Sequence, residues 1–300
     1  MKITTYPKVL YYHIVADSFP EIYPKGITVA RFFDQIKKLK EWGYHFRPLS
    51  ETLNHPQRNR FARKDIVLTF DDGFAANYPS LMYLLTELKI KPTLFLIGKC
   101  IDNRELAWNH KLILIKQYCS TEKINKAIKK YLPNATITTF FSSVTMADKD
   151  NITDLLWQEI MPFSEKEFLE KNKPFLSLSQ LNSLVNAGIE LGIHSWSHPD
   201  FGRLTFSEAF TEIDKCYSAM KESGLPCQNY FAYPYGRPAS KEMETKLKEN
   251  LDLAATFGIR YKLGDNQFSE TRWQRIKMDG SKMENTMQFL IAPCLRLLKK

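Results

Sequence analysis

Short apolar runs alternate along the chain with stretches in which apolar residues recur every three or four positions. Val9 to Val15 is an apolar run of strand length. Thr28 then precedes Phe32, Phe33, Ile36 and Leu39, which share one helical face, and Gly43 closes that helix. Asp65 to Phe70 (DIVLTF) predicts a second strand, and Tyr78, Leu81, Leu84, Leu85 and Leu88 a second amphipathic helix. Pro92 to Ile97 predicts a third strand. The rhythm resumes at Ser177 and Gln180, a capping box ahead of a helix that ends near Gly188. A strand over Ile189 to Ile193 follows. Thr205 and Glu208 then open another helix, stopped by Gly224. Asn229 to Tyr233 reads as a strand, Lys241 to Asn250 as a helix, and Leu253 to Phe257 and Arg275 to Met278 as late strands.

Strands alternating with helices predict an α/β fold with a parallel sheet and helices outside it. Residues 102–173 break the alternation. They are mostly helical and polar in pattern (LWQEIMPF, EKEFLEKNK) and read as an insertion or cap within one domain spanning residues 1–300. In such folds the chemistry gathers where the strands end, and two polar clusters sit at predicted strand ends. Asp71 and Asp72 follow DIVLTF and precede Gly73. Adjacent carboxylates repel unless something offsets their charge, and a bound cation does so. Asp-Gly also makes hairpin turns, but here a helix rather than a strand follows. The second cluster is His194-Ser195-Trp196-Ser197-His198, directly after the strand at 189–193. Two imidazoles four residues apart converge on one metal when the turn between them is helical; the alternative is a pair of surface histidines. Together, one carboxylate and two histidines suit a catalytic metal that keeps open positions, with the neighbouring Asp71 available as a proton acceptor.

Composition narrows the classes further. A hydrophobic share of 44% supports a sizeable core, and 20 Phe, 14 Tyr and 5 Trp suit either that core or a groove that stacks on sugar rings. The net charge is +9, with basic residues spread along the chain rather than gathered in one arm. No nucleic-acid-binding motif is present, so nucleic acid is the least favoured anionic partner. The five cysteines (100, 119, 216, 227, 294) have no CxxC spacing, which disfavours a disulfide framework or a cysteine zinc site. The N-terminal MKITTYPKVLYYHIV has no apolar secretory core, so the expected location is cytoplasmic. Phe289 to Lys300 alternates apolar residues with Arg296, Lys299 and Lys300. It reads as an amphipathic terminal helix or a peripheral contact with an anionic membrane at the inner face.

The clusters have a shared context. LTFDDGF at 68–74 with the PTLFLIG that follows, residues 176–198 through GIELGIHSWSH, and FAYPYG at 231–236 resemble the polysaccharide deacetylase family. This is the NodB-homology group, or carbohydrate esterase family 4. The resemblance spans about two-thirds of the chain, and TFDDG followed by HSxxH is its most specific part. It implies an irregular, incomplete (β/α) barrel. It also implies a metal triad of Asp72, His194 and His198, Asp71 as catalytic base, and a Tyr235 backbone N–H that helps hold an oxyanion. The implied reaction is hydrolysis of an N-acetyl group on an amino sugar of a polysaccharide or glycolipid precursor. The implied cofactor is a divalent ion, zinc first, with cobalt, nickel, iron or manganese as alternatives.

The pattern departs from the family in two places. Many members supply the acid for the leaving amine from a histidine near the C-terminus, yet no histidine follows His198 here. His13, at the end of the first strand, is the replacement candidate; an early Tyr-His pair also marks a subgroup of bacterial exopolysaccharide deacetylases. The third motif often opens with an arginine that steadies the base, where this chain has Ala232; Arg275 is the candidate substitute. His45, His55 and His110 read as structural or surface residues, while Trp196, and less so Trp108, are candidate sugar-stacking residues. Two further functions stay open. One is deformylation or deacetylation of a lipid-linked sugar at the inner membrane face, and the other is non-catalytic glycan binding on the same fold.

Overall fold

The computed structural model describes residues 8–54, 64–259 and 272–279. The segment from Phe289 to Lys300, Cys294 and His55 lie outside the described residues. The chain opens with β1 (Lys8–Tyr12), α1 (Val29–Glu41), β2 (His45–Phe46), α2 (Leu49–Asn54) and β3 (Asp65–Phe70). It continues with α3 (Tyr78–Thr86), β4 (Thr93–Leu96) and five insertion helices. These are α4 (Trp108–Tyr118), α5 (Thr121–Tyr131), α6 (Phe140–Ser143), α7 (Lys149–Ile160) and α8 (Glu165–Asn172). Then come α9 (Leu178–Asn186), β5 (Glu190–Ile193), α10 (Phe206–Glu222), β6 (Cys227–Ala232), α11 (Lys241–Leu251), β7 (Ala255–Gly258) and β8 (Arg272–Lys277).

Local chemistry accounts for these boundaries. Thr28 caps α1 by accepting from the Arg31 N–H, and Phe32, Ile36 and Leu39 bury one face of the helix. The expected capping boxes form at Ser177/Gln180 and Thr205/Glu208, and a third, not anticipated, at Ser164/Glu167. The strand predicted over 9–15 stops at Tyr12, where His13 and Val15 turn their backbone groups to the Asn77 side chain instead of a neighbouring strand.

Among the described residues the eight strands pair only in parallel, and β1 pairs with both β3 and β8. The ring β1-β3-β4-β5-β6-β7-β8 therefore closes as a seven-stranded barrel, with the two-residue β2 beside the start of β3. This is the expected irregular, incomplete (β/α) barrel. A small cluster that includes Val9, Val67, Phe95, Phe257 and Trp273 fills its interior, and Leu49 and Leu53 of α2 join that cluster. Side chains alternate along a strand. Tyr11, Thr69, Asp71 and Arg275 therefore face the same interior as Val9, Val67 and Trp273, one or two layers nearer the C-terminal mouth. The larger core lies between strands and helices and runs unbroken into residues 102–173 through Trp108, Leu112, Phe140 and Trp157.

Candidate functional site

The strand ends set the site. After β3, Asp72 and Gly73 both take left-handed backbone, at φ 72° and 79°. A Cβ on Gly73 would lie 2.8 Å from Leu96 Cδ2, so the turn admits only glycine there. The turn points Asp72 at the end of β5, where His194 and His198 meet it. Asp72 Oδ1 lies 3.3 Å from His194 Nε2 and 3.6 Å from His198 Nε2. All three side chains are buried, and their donor atoms lie within 4.8 Å of one another. The turn between the histidines is not helical. The loop bends through left-handed residues instead, Ser195 at φ 69° and His198 at φ 61°, which brings the rings together at 5.1 Å between centroids. Such backbone costs of order 1–3 kcal/mol per residue and persists where the surroundings enforce it.

The residues fit a divalent ion. Asp72 Oδ1 is buried without a hydrogen-bond donor, an expensive state unless a cation or another donor is close. His194 Nδ1 hydrogen-bonds the Ala232 carbonyl at 2.7 Å, which directs Nε2 toward Asp72. Burial works to raise the Asp72 carboxyl. The nearby His194 and His198 imidazoles outweigh it and hold the group well below the usual carboxylate range. Burial pushes the His198 imidazole down, so it stays neutral with a lone pair to give.

Asp71 is held from the far end of the chain. Arg275 on β8 is 1% exposed and grips both carboxylate oxygens, at 2.6 and 2.8 Å. The guanidinium also hydrogen-bonds Thr69 Oγ1 and lies against the Tyr11 and Phe95 rings. An arginine thus steadies Asp71 although Ala232 occupies the position where the family often keeps one. Ala232 contributes its carbonyl to His194 instead.

His13 lies at the same mouth, near enough for the charges of Asp72 and Asp71 to act on it. Its side chain is 17% exposed, and Nδ1 lies 2.8 Å from Asp279 Oδ2. Burial alone would lower its pKa. The Asp279 hydrogen bond and charge outweigh burial and raise the imidazole above the usual 6.5. Tyr23 stacks on the ring at 5.0 Å, and Asn77 donates to the His13 carbonyl. Tyr235 has φ 55°, its ring edge-on to His198 at 4.6 Å. Its phenol is buried, which pushes its pKa well above 10.

Sequence reasoning missed several members. Asp279 follows the last predicted strand directly, so the strand-end rule that singled out Asp71 would also have found it. Asn77 and Glu212 carry no such signal. Trp108 is buried and donates to the His198 carbonyl at 2.9 Å, so it holds the 194–198 loop and offers no platform to a sugar. Lys215 covers the ring of the half-buried Trp196 at 4.3 Å. His110 is fully buried beside His198, Phe74 and Phe175, and burial lowers its pKa to about 4. It adds no positive charge near the Asp72, His194 and His198 cluster. The four described cysteines are free. Among the described residues no helix is long and apolar enough to cross a membrane.

Residues 58–256 match the family model for polysaccharide deacetylases. A Bacillus subtilis (strain 168) protein named as a candidate polysaccharide deacetylase, YxkH, is 30% identical over 97 residues. That match covers 32% of this chain and 33% of that protein, so it spans a third of the relative's length. Among solved structures, the Streptococcus pyogenes deacetylase PplD in complex with acetate superposes with a TM-score of 0.61 at 16% identity. The match covers 95% of this chain and 97% of that one. IcaB from Ammonifex degensii superposes at 0.60 with 18% identity and the same coverage. Identities this low establish a shared fold.

Proposed function

This chain belongs to the polysaccharide deacetylase family, and on that premise we propose that it hydrolyses N-acetyl groups on amino sugars of a polysaccharide or glycolipid precursor. Asp72, His194 and His198 would hold a divalent ion, zinc by the chemistry of the donor set. The observation that supports this reading is convergence. A buried three-donor cluster, a carboxylate gripped by Arg275 and an imidazole paired with Asp279 all gather at one barrel mouth.

The roles of Asp71 and Tyr235 are those the family resemblance implies, and that of His13 rests on its place at the same mouth. When bound, the ion supplies Lewis-acid activation of water and of the acetamide carbonyl. Asp71 takes the proton of the attacking water, and Arg275 holds its oxygens in one orientation. The Tyr235 backbone N–H donates to the oxygen that gains charge. As the carbon–nitrogen bond breaks, the departing amine needs a proton. His13 gives it from Nε2, because Asp279 occupies Nδ1. Acetate and a free amino sugar result.

The test is acetate release from a panel of N-acetylglucosamine oligomers by zinc-loaded protein, beside chelator-treated protein. Zinc-dependent release is expected. Glycan binding without release at any metal loading would favour a non-catalytic glycan-binding protein, and formate release from formylated glycolipids would redirect the substrate.

A further inference from the structure

The loop that carries both histidines is strained, and its restraints come from around it. His198 N–H donates to Ser195 Oγ at 3.0 Å. The Gly98 and Lys99 N–H groups donate to the Ser195 and Trp196 carbonyls at 3.0 and 3.1 Å. A Cβ on Gly98 would lie 2.8 Å from the Trp196 ring, so the segment after β4 presses directly on the loop. One ionisable side chain joins these restraints. Glu212, in the middle of α10, accepts from Ser197 N–H at 2.8 Å with one carboxylate oxygen and from Ser197 Oγ at 2.5 Å with the other. Its own backbone carbonyl accepts from Trp196 N–H at 2.8 Å. Two consecutive loop residues are thereby tied to one helical position. The Lys149 charge, on the insertion helix α7, acts on the same carboxylate.

We propose that Glu212 is a positioning residue for the metal ligands, holding the 194–198 loop in its ligating conformation before an ion binds. The inference rests on the reading of Asp72, His194 and His198 as ligands. Ser197 is the residue before His198, so freedom at Ser197 becomes freedom in the direction of the His198 imidazole. Left-handed backbone at Ser195 and His198 is held by the Ser195 hydroxyl, by the Gly98 N–H on the Ser195 carbonyl and by the Trp108 N–H on the His198 carbonyl, and Glu212 adds the ties at Trp196 and Ser197 between them. Once Glu212 is removed, part of the ion's binding free energy goes into reordering the loop, and apparent affinity falls. Outer partners of metal ligands are typically worth about 10–100-fold in affinity.

The test is zinc affinity of the full chain, measured by competition with a chromophoric chelator, for wild type, Glu212→Ala, Glu212→Gln and Ser197→Ala. Glu212→Ala should bind zinc about tenfold or more weakly, with kcat recovering as zinc is raised. Glu212→Gln should stay within about threefold of wild type, because its amide oxygen accepts from the Ser197 N–H and its NH2 donates to Oγ. Ser197→Ala keeps one of the two bonds and should fall between them, and it reports on the proposal even where Glu212→Ala folds poorly. Wild-type affinity in Glu212→Ala, or in Ser197→Ala where the first variant does not fold, overturns the positioning role. Wild type that binds no zinc overturns the ligand reading beneath it.

Discussion

The two halves of the barrel mouth are built in different ways. Asp72, His194 and His198 follow β3 and β5, the two strands that flank β4, and left-handed turns after those strands bring them together. The Ala232 carbonyl stands behind His194, while Asp72 Oδ1 and His198 Nδ1 have no hydrogen-bond partner among the described residues. The half with Asp71 and His13 is assembled across long stretches of the chain. Arg275 reaches Asp71 across 204 residues, and Asp279 reaches His13 across 266. These contacts exist because β1 closes the ring between β3 and β8. The Asp72–His194–His198 half depends on loop conformation, and the half with Asp71 and His13 on barrel closure and paired charge.

That contrast can be broken from either side. The largest effect is expected at the ligands: His198→Ala should lose stoichiometric zinc while its unfolding transition stays cooperative. Retained zinc by elemental analysis would contradict the ligand set. Arg275→Met attacks the other half. It leaves a buried carboxylate unpaired and should destabilise the fold by about 3–5 kcal/mol in denaturant unfolding, with zinc still bound to the folded protein. A cost below about 1 kcal/mol would mean that Asp71 has other sufficient support.

Asp279→Asn sharpens the comparison through pH. Asp279 raises the His13 pKa, and an acid works only while protonated. Activity should therefore fall as pH rises through that raised pKa, and the high-pH limb of kcat/KM should move to lower pH in the variant. Stability follows the same sign. The pair contributes fully below the unfolded histidine value of about 6.5 and is lost as pH rises through the folded pKa. An unmoved limb would remove His13 from the acid role. The smallest effect is expected for Trp108→Phe, which deletes one hydrogen bond to the His198 carbonyl and should cost about 1 kcal/mol of stability.

The same division separates what was legible in the sequence from what was not. Most strands and helices showed in the hydrophobic pattern, because fully buried parallel strands such as DIVLTF and capped amphipathic helices write their geometry locally. The Asp72, His194 and His198 cluster was legible for a related reason, since its members lie within a few residues of the ends of β3 and β5. Arg275 was legible only as a candidate, because its partner depends on which strands become neighbours. Asp279 was missed although it too follows a strand. Glu212 was not legible at all, since a glutamate in a helix interior looks like any solvated charge until the fold places Ser197 against it. The stacking expectation for Trp108 failed because the insertion buries that ring and assigns its N–H to the 194–198 loop.

The central claim is that one mouth joins a metal triad to a separate base. The most direct test measures zinc content and acetate release on one preparation of Asp71→Asn. The account predicts zinc at the wild-type stoichiometry with release lowered by roughly 10²- to 10⁴-fold. Zinc bound and release undiminished would contradict it.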